Sequence, residues 1–135
     1  MRASINRFWA YALIVFVAHN CEEAIAIASG WAERHLPRLF WTAEHWPLFA
    51  GVAAALTVSV TLVAWSLRAK PERSRACLRL FLWIMLLNAC WHLGVSAYTK
   101  SIAPGVVTAL LLVIPIYLPI LRSVSRARSA ASPAP

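Results

Sequence analysis

Four long apolar stretches, separated by short polar connections, run through the chain and predict four helices. They fall at about 8–29, 47–67, 80–98 and 104–121. At about 1.5 Å of rise per residue, a helix of roughly 20 residues crosses a hydrocarbon core about 30 Å thick. The pattern therefore predicts an all-α fold, namely a polytopic membrane four-helix bundle.

The connections between the stretches carry residues that stop or start helices. Gly30 follows the first stretch and is a natural helix stop, and Pro104 stands where the fourth helix can start. Pro115 and Pro119 lie inside the fourth stretch and are predicted to kink it. The connection 31–46 is rich in tryptophan, which favours a membrane interface and suits a short helix lying flat on it.

The chain is predicted to form one domain followed by a tail. Residues 1–122 are expected to be the transmembrane domain. Residues 123–135 are rich in alanine, serine and proline, and we expect them to be a disordered cytoplasmic tail.

Composition supports a membrane protein. Of the 135 residues, 61% are hydrophobic and 13% are charged, and the mean hydropathy is +0.66. Soluble domains carry about a quarter charged residues. The net charge of +8 does not indicate nucleic acid, because the basic residues lie between apolar stretches instead of along one face with interleaved aromatics. The predicted partner is the lipid bilayer.

The distribution of the basic residues predicts the orientation. Ten of the 13 lysines and arginines lie in 1–7, 68–79 and 122–135. Because positively charged loops stay on the cytoplasmic side, both termini are expected to be cytoplasmic. We expect an integral protein of a bacterial inner membrane, with the end of the first stretch in the outer half of the bilayer.

The three cysteines, Cys21, Cys77 and Cys90, do not have the spacing of a zinc site or a disulfide framework. Two of them lie inside apolar stretches. We interpret them as buried thiols.

A histidine and two glutamates interrupt the first apolar stretch: His19, Glu22 and Glu23. A carboxylate at the centre of a membrane helix costs roughly 2.5 to 3.5 kcal/mol, so something must compensate these two. At about 3.6 residues per turn, the three side chains share one helix face roughly 100° wide. Protonation of one glutamate and pairing of the other with an arginine such as Arg34, or a position of both at the interface, would compensate them without a functional site.

The third apolar stretch carries a second polar pair, Asn88 and His92, which lie four residues apart on one helix face. With both termini cytoplasmic, this pair reaches the depth of Glu22 and Glu23. Two imidazoles and two carboxylates are a normal ligand set for zinc, iron or manganese. The alternative is that each histidine is neutral and bonded to a backbone carbonyl or to Asn88.

The run His19-Asn20-Cys21-Glu22-Glu23 resembles the signature of the HXXEE family of small bacterial membrane proteins. The segments 88–92 and 104–108 resemble later blocks of the same family. The resemblance implies a four-helix membrane domain with the histidines and glutamates as its functional centre. It implies no particular reaction, because no activity is assigned to the family.

Three functions fit these residues. The leading hypothesis is a membrane protein that binds a divalent transition metal, zinc or iron, and that can act as a metalloenzyme on a lipophilic substrate. The predicted metal ligands are His19, Glu22, Glu23 and His92, with Glu22 and Glu23 also as catalytic groups and Asn88 and His45 as residues that orient the ligands.

The alternatives are a metal-free acid–base isomerase or cyclase of a lipid-soluble substrate, and a non-enzymatic proton or ion relay or structural polar cluster. The sequence leaves open whether the protein is an enzyme, which small molecule it takes and whether it forms homo-oligomers.

Overall fold

The computed structural model describes residues 2–36 and 43–129, and all the regular structure in these ranges is helical. The helices are α1 (Arg2–Ala28), α2 (Trp31–His35), α3 (Trp46–Leu67), α4 (Pro71–Thr99), α5 (Val106–Thr108) and α6 (Ile114–Ser129). A 3-10 turn, Ala43–His45, precedes α3, and a π-helical segment, Ala109–Val113, joins α5 to α6. The all-helical fold is confirmed.

Four stretches of the described residues are long and apolar enough to cross a membrane. These spans are Ser4–Ala28, Ala43–Leu67, Pro71–Thr99 and Val106–Ser125. They coincide with the four apolar stretches of the sequence, and the majority of their ends lie outside the predicted bounds.

The extra length has identifiable causes. α4 begins at Pro71, well before residue 80, because proline is favoured at the first helical position and Glu72 stabilises the first turn. α6 continues to Ser129, so 123–129 is helical where the sequence predicts a disordered tail. Residues 130–135 of that predicted tail lie outside the described residues.

The fourth span departs from a regular helix near its prolines. It begins at Val106 instead of Pro104, after Gly105 in the left-handed conformation with φ +78°. The π-helical segment then ends two residues before Pro115. Inside a helix, the proline ring clashes with the carbonyl four residues earlier, and proline has no N–H to donate. The wider turn of a π-helix accommodates both defects. The disturbance predicted at Pro115 is therefore a π-helical segment.

An apolar core joins α1, α4 and α6 at the end of the bundle that holds the amino terminus. The ring of Phe81 contacts those of Trp9, Phe16 and Tyr117, with centroids 5.5 to 6.2 Å apart. The hydroxyl of Tyr117 donates to the backbone carbonyl of Ala12 at 2.6 Å. This core fixes α1 against α4, and the polar residues of both helices meet further along.

The outer surface of the bundle is apolar. Leu87 on α4 is 65% exposed, Leu111 is 68% exposed, and α3 buries only Ala53 and Ala64. Large exposed apolar surfaces of this kind are rare on soluble monomers and are suited to lipid.

Two of the cysteines also lie on this outer surface. All three are free thiols, and Cys21 and Cys90 are exposed, so their interpretation as buried residues is wrong. Each lies two residues from a buried histidine, Cys21 after His19 and Cys90 before His92. Two residues correspond to a rotation of about 200° around a helix, which places each thiol on the opposite face.

Candidate metal site

His19 is the most deeply buried member of the polar group, with 1% of its surface exposed. Its Nδ1 atom lies 2.7 Å from Oγ1 of Thr108 in the fourth span. The Thr108 hydroxyl donates to the carbonyl of Gly105 at 3.2 Å, so its oxygen can accept the Nδ1 hydrogen of His19. In that tautomer, Nε2 of His19 offers a lone pair to the middle of the group.

His92 on α4 faces His19, and the two rings pack edge to face with centroids 4.9 Å apart. Nε2 of His92 lies 2.9 Å from Oε1 of Glu23. The same carboxylate oxygen lies 3.8 Å from Nε2 of His19. Helix α1 thus supplies a histidine and a glutamate, and α4 supplies the second histidine.

The ligand atoms of His19, Glu23 and His92 all lie within 4.8 Å of one another. This group can hold a metal ion. At Zn–N and Zn–O distances of about 2.0 to 2.2 Å, ligand atoms around a tetrahedral ion lie roughly 3.3 Å apart, so only small side-chain movements are needed.

Asn88 lies against both histidines. Its Nδ2 atom is 2.9 Å from Nε2 of His19 and 3.0 Å from Nε2 of His92. A ring nitrogen either carries a hydrogen or offers a lone pair. Nε2 of His92 needs the hydrogen to bind Glu23 and the lone pair to accept from Asn88, so it cannot satisfy both contacts with the amide in this orientation.

Glu22 faces a different partner from Glu23. Its two carboxylate oxygens accept the backbone N–H groups of Val107 and Thr108, at 3.1 and 2.8 Å. These amides stand at the start of the fourth span, where backbone N–H groups lack helical partners and favour an anion. The two adjacent glutamates therefore bind different partners. Arg34, the alternative partner, donates to the carbonyl of Ser29.

Gly105 brings the backbone of the fourth span against both histidine rings. A Cβ atom at this position would lie 2.6 Å from Cε1 of His19 and 2.9 Å from Cε1 of His92. Only glycine fits this distance, and its φ of +78° also favours glycine.

Gly105 and Thr108 are site residues that the sequence reasoning did not assign. The sequence indicates a helix start at Pro104 and a family block at 104–108, and neither feature assigns a side chain of this segment to the site. The Pro104-Gly105 pair was a usable signal, because it marks a tight turn directly before an apolar helix.

His45 ends the 3-10 turn before α3 and is half-buried, and it is not a member of the His19, Glu23 and His92 group. His35 stacks on Trp31 within α2, with ring centroids 4.7 Å apart. Among the described residues, the structure brings together four of the six predicted site residues, and it holds Glu22 at the neighbouring amides.

Two cavities reach the group from opposite directions. One, of about 300 Å³, lies toward α2 and is lined by Glu23, Asn88 and His92 together with Trp31 and Trp91. The other, of about 270 Å³, lies between α1, α3 and α4 and runs away from the α2 end of the bundle. The two histidines of the group are buried and Glu23 is partly buried, and the group still has space on two sides.

The fold and the site define a class of protein. The described part of the chain is all-helical, with four membrane-capable helices and a His–Glu group between the first, third and fourth of them. A family model described as a protein of unknown function with HXXEE motif matches residues 10–120. The chain belongs to this family, and the resemblance seen in the sequence is confirmed. Neither a search of curated proteins nor one of solved structures gave a match.

Proposed function

We propose that this chain is an integral membrane protein that binds one divalent transition metal, zinc or iron, through His19, Glu23 and His92. The observation that carries the proposal is the convergence of two imidazole nitrogens and one carboxylate oxygen within 4.8 Å in a buried site. Two histidines and one carboxylate are the ligands of many catalytic zinc sites and of non-haem iron(II) sites.

Asn88 can adapt to an ion at this place. A bound ion would take the lone pairs of both Nε2 atoms, so neither nitrogen could accept from Nδ2 of Asn88. Turning the Asn88 amide by about 180° then presents Oδ1 to the ion, and side-chain amide nitrogen and oxygen are interchangeable in shape. Asn88 would thereby accept a hydrogen bond from a water or a substrate hydroxyl held by the ion.

Three protein ligands leave a coordination position for water or a substrate, which is the arrangement of catalytic metal sites. An ion held by these ligands would acidify a water bound to it or polarise the carbonyl of a bound substrate. The apolar outer surface and the cavities beside the group favour a lipophilic substrate. The roles predicted for Glu22 as a ligand and base stay predictions, and each requires Glu22 to leave the amides of Val107 and Thr108.

Metal analysis of the purified protein tests the proposal. We expect about one zinc or iron per chain in the wild type, and we expect His19→Ala and His92→Ala to lose it. The control is His35→Ala, because His35 is a half-buried histidine that bonds within α2, away from the group. A wild type that binds neither metal, even when each is added to folded protein, would contradict the proposal.

The 2.9 Å contact between Glu23 and His92 also favours a second candidate, a metal-free acid–base pair. With the Asn88 amide turned and His19 in the other tautomer, the Thr108 hydroxyl donates to Nδ1 of His19 and Oδ1 of Asn88 accepts from Nε2–H of His19. Nε2–H of His92 can then be shared by Glu23 and Asn88. Such a pair could move protons on a lipophilic substrate. Activity that survives a strong chelator and is lost in Glu23→Gln distinguishes this candidate from the metal site.

A further inference from the structure

We propose that the site takes a slender lipid that ends in a neutral hydroxyl or carbonyl oxygen, and that the lipid chain lies in a cleft between α3 and α4. The inference rests on the proposed metal site, because the oxygen would occupy its open position. The α3–α4 cleft is the cavity of about 270 Å³ beside the group. Its apolar lining includes Phe16, Phe49, Val52, Leu56, Ile84 and Met85.

Among the described residues, those that give the α3–α4 cleft its polar lining lie at one end of it. His19, Glu23 and Asn88 bound it where the proposed ion would be. From there, Ile84 and Met85 lie about one helical turn before Asn88, and Leu56 lies about two turns after Phe49. The cleft thus runs from the polar group toward the middle of the bundle.

This direction matches the orientation of a lipid in a bilayer. The group lies nearer the α2 end of the spans, since Glu23 is close to the end of Ser4–Ala28 and His92 is close to the end of Pro71–Thr99. A lipid with its polar end at the group and its chain in the cleft has its chain pointing to the bilayer centre, as other lipids of that leaflet do.

The cleft is open to the side. Val52, Leu56 and Ile84 line it, and each is about half exposed on the outer surface of the bundle. A lipid can therefore enter between α3 and α4 from the bilayer without passing through water. The cavity toward α2, with Trp31 and Trp91, lies beyond the group and leaves space for atoms on the other side of the reacting oxygen.

The charges of the site favour a neutral end group. A divalent ion would be balanced by Glu23 and by the neighbouring Glu22, and among the residues that the structure describes neither cavity beside the group has a lysine or arginine in its lining. A phosphate or carboxylate would add a negative charge without a partner in a membrane interior, which is unfavourable. A hydroxyl or carbonyl oxygen can bind the ion without that charge.

Photolabelling tests the inference. The probe is a long-chain alcohol with a diazirine near the far end of its chain, and labelled peptides are mapped by mass spectrometry. We expect the label at 52–56 and 84–85, and we expect Ile84→Trp to reduce it about tenfold by filling the cleft. Leu87→Trp is the matched control, because Leu87 is an exposed apolar residue of α4 outside the cavities described here. Leu56→Ala, which widens the cleft, should keep or increase the label.

Competition tests the end group. An unlabelled alcohol should displace the probe at a concentration about tenfold lower than a carboxylate of the same chain length. The inference is contradicted if Ile84→Trp and Leu87→Trp are labelled equally, or if the alcohol and the carboxylate compete equally with the probe. Metal content is measured on the same samples. If metal is bound but the label is spread over many peptides, only the lipid site is wrong. If the label is confined to 52–56 and 84–85 but no metal is bound, the metal site is wrong and the cleft is supported.

Discussion

Thr108 contacts His19 on the side of the ring that faces away from the proposed ion, through the 2.7 Å contact between Oγ1 and Nδ1. Histidine ligands commonly bind a second group through their other ring nitrogen, which fixes the ring and its tautomer. We predict that Thr108→Val, which keeps the shape and removes the hydroxyl, lowers metal affinity about 10- to 100-fold. Competition with a chelator of known affinity measures the change.

Thr61→Val is the control for this substitution. The Thr61 hydroxyl bonds to the backbone carbonyl of Thr57 on the exposed side of α3, away from the group. Its loss should leave metal affinity unchanged. If both valine variants bind metal as the wild type does, Thr108 does not position His19.

Helix α1 presents two adjacent carboxylates to two different partners. Glu23 belongs to the group with His19 and His92, whereas Glu22 accepts two amides of the fourth span. We predict that Glu23→Gln lowers metal affinity by at least about tenfold, because the ligand charge is lost. Glu22→Gln should chiefly lower the thermal stability, because a glutamine has one acceptor oxygen for two N–H groups.

Metal titration and thermal unfolding in detergent, made on the same two variants, separate these roles. The two variants are close controls for each other, since each removes one charge from neighbouring positions of one helix. A larger loss of metal affinity in Glu22→Gln than in Glu23→Gln would contradict the assignment and would favour Glu22 as the ligand.

The elements also show which features the sequence could predict. Apolar length predicted the four spans, and helical periodicity placed His19 beside Glu23 and Asn88 beside His92. The start of α4 at Pro71 and the extension of α6 to Ser129 depend on helix propensity outside the apolar stretches, which hydropathy does not report. Periodicity also fails to identify partners in other helices, so the amides bound by Glu22 became visible only in the structure.

At the scale of the whole molecule, the basic residues predict the orientation of the bundle. Arg7, Arg68 and Arg122 lie at the end of the spans opposite to the His–Glu group. We predict that a reporter enzyme active only in the cytoplasm is active when fused after Pro135. A fusion after Lys100, between α4 and α5, should be inactive.

Equal amounts of both fusion proteins, shown by immunoblotting, serve as the control for the reporter. An active reporter after Lys100 together with an inactive one after Pro135 would show the opposite orientation. The metal site and the cleft would remain possible in that case, since the group would then lie in the other half of the bilayer.

The close approach of Gly105 to both histidine rings has a consequence for biogenesis. The three proposed ligands are all synthesised before the fourth span, yet Gly105, Thr108 and the amides held by Glu22 complete their surroundings. Helices that enter a membrane one after another pack together only afterwards. Metal would then bind at the last step of assembly, after the fourth span has packed against the other helices.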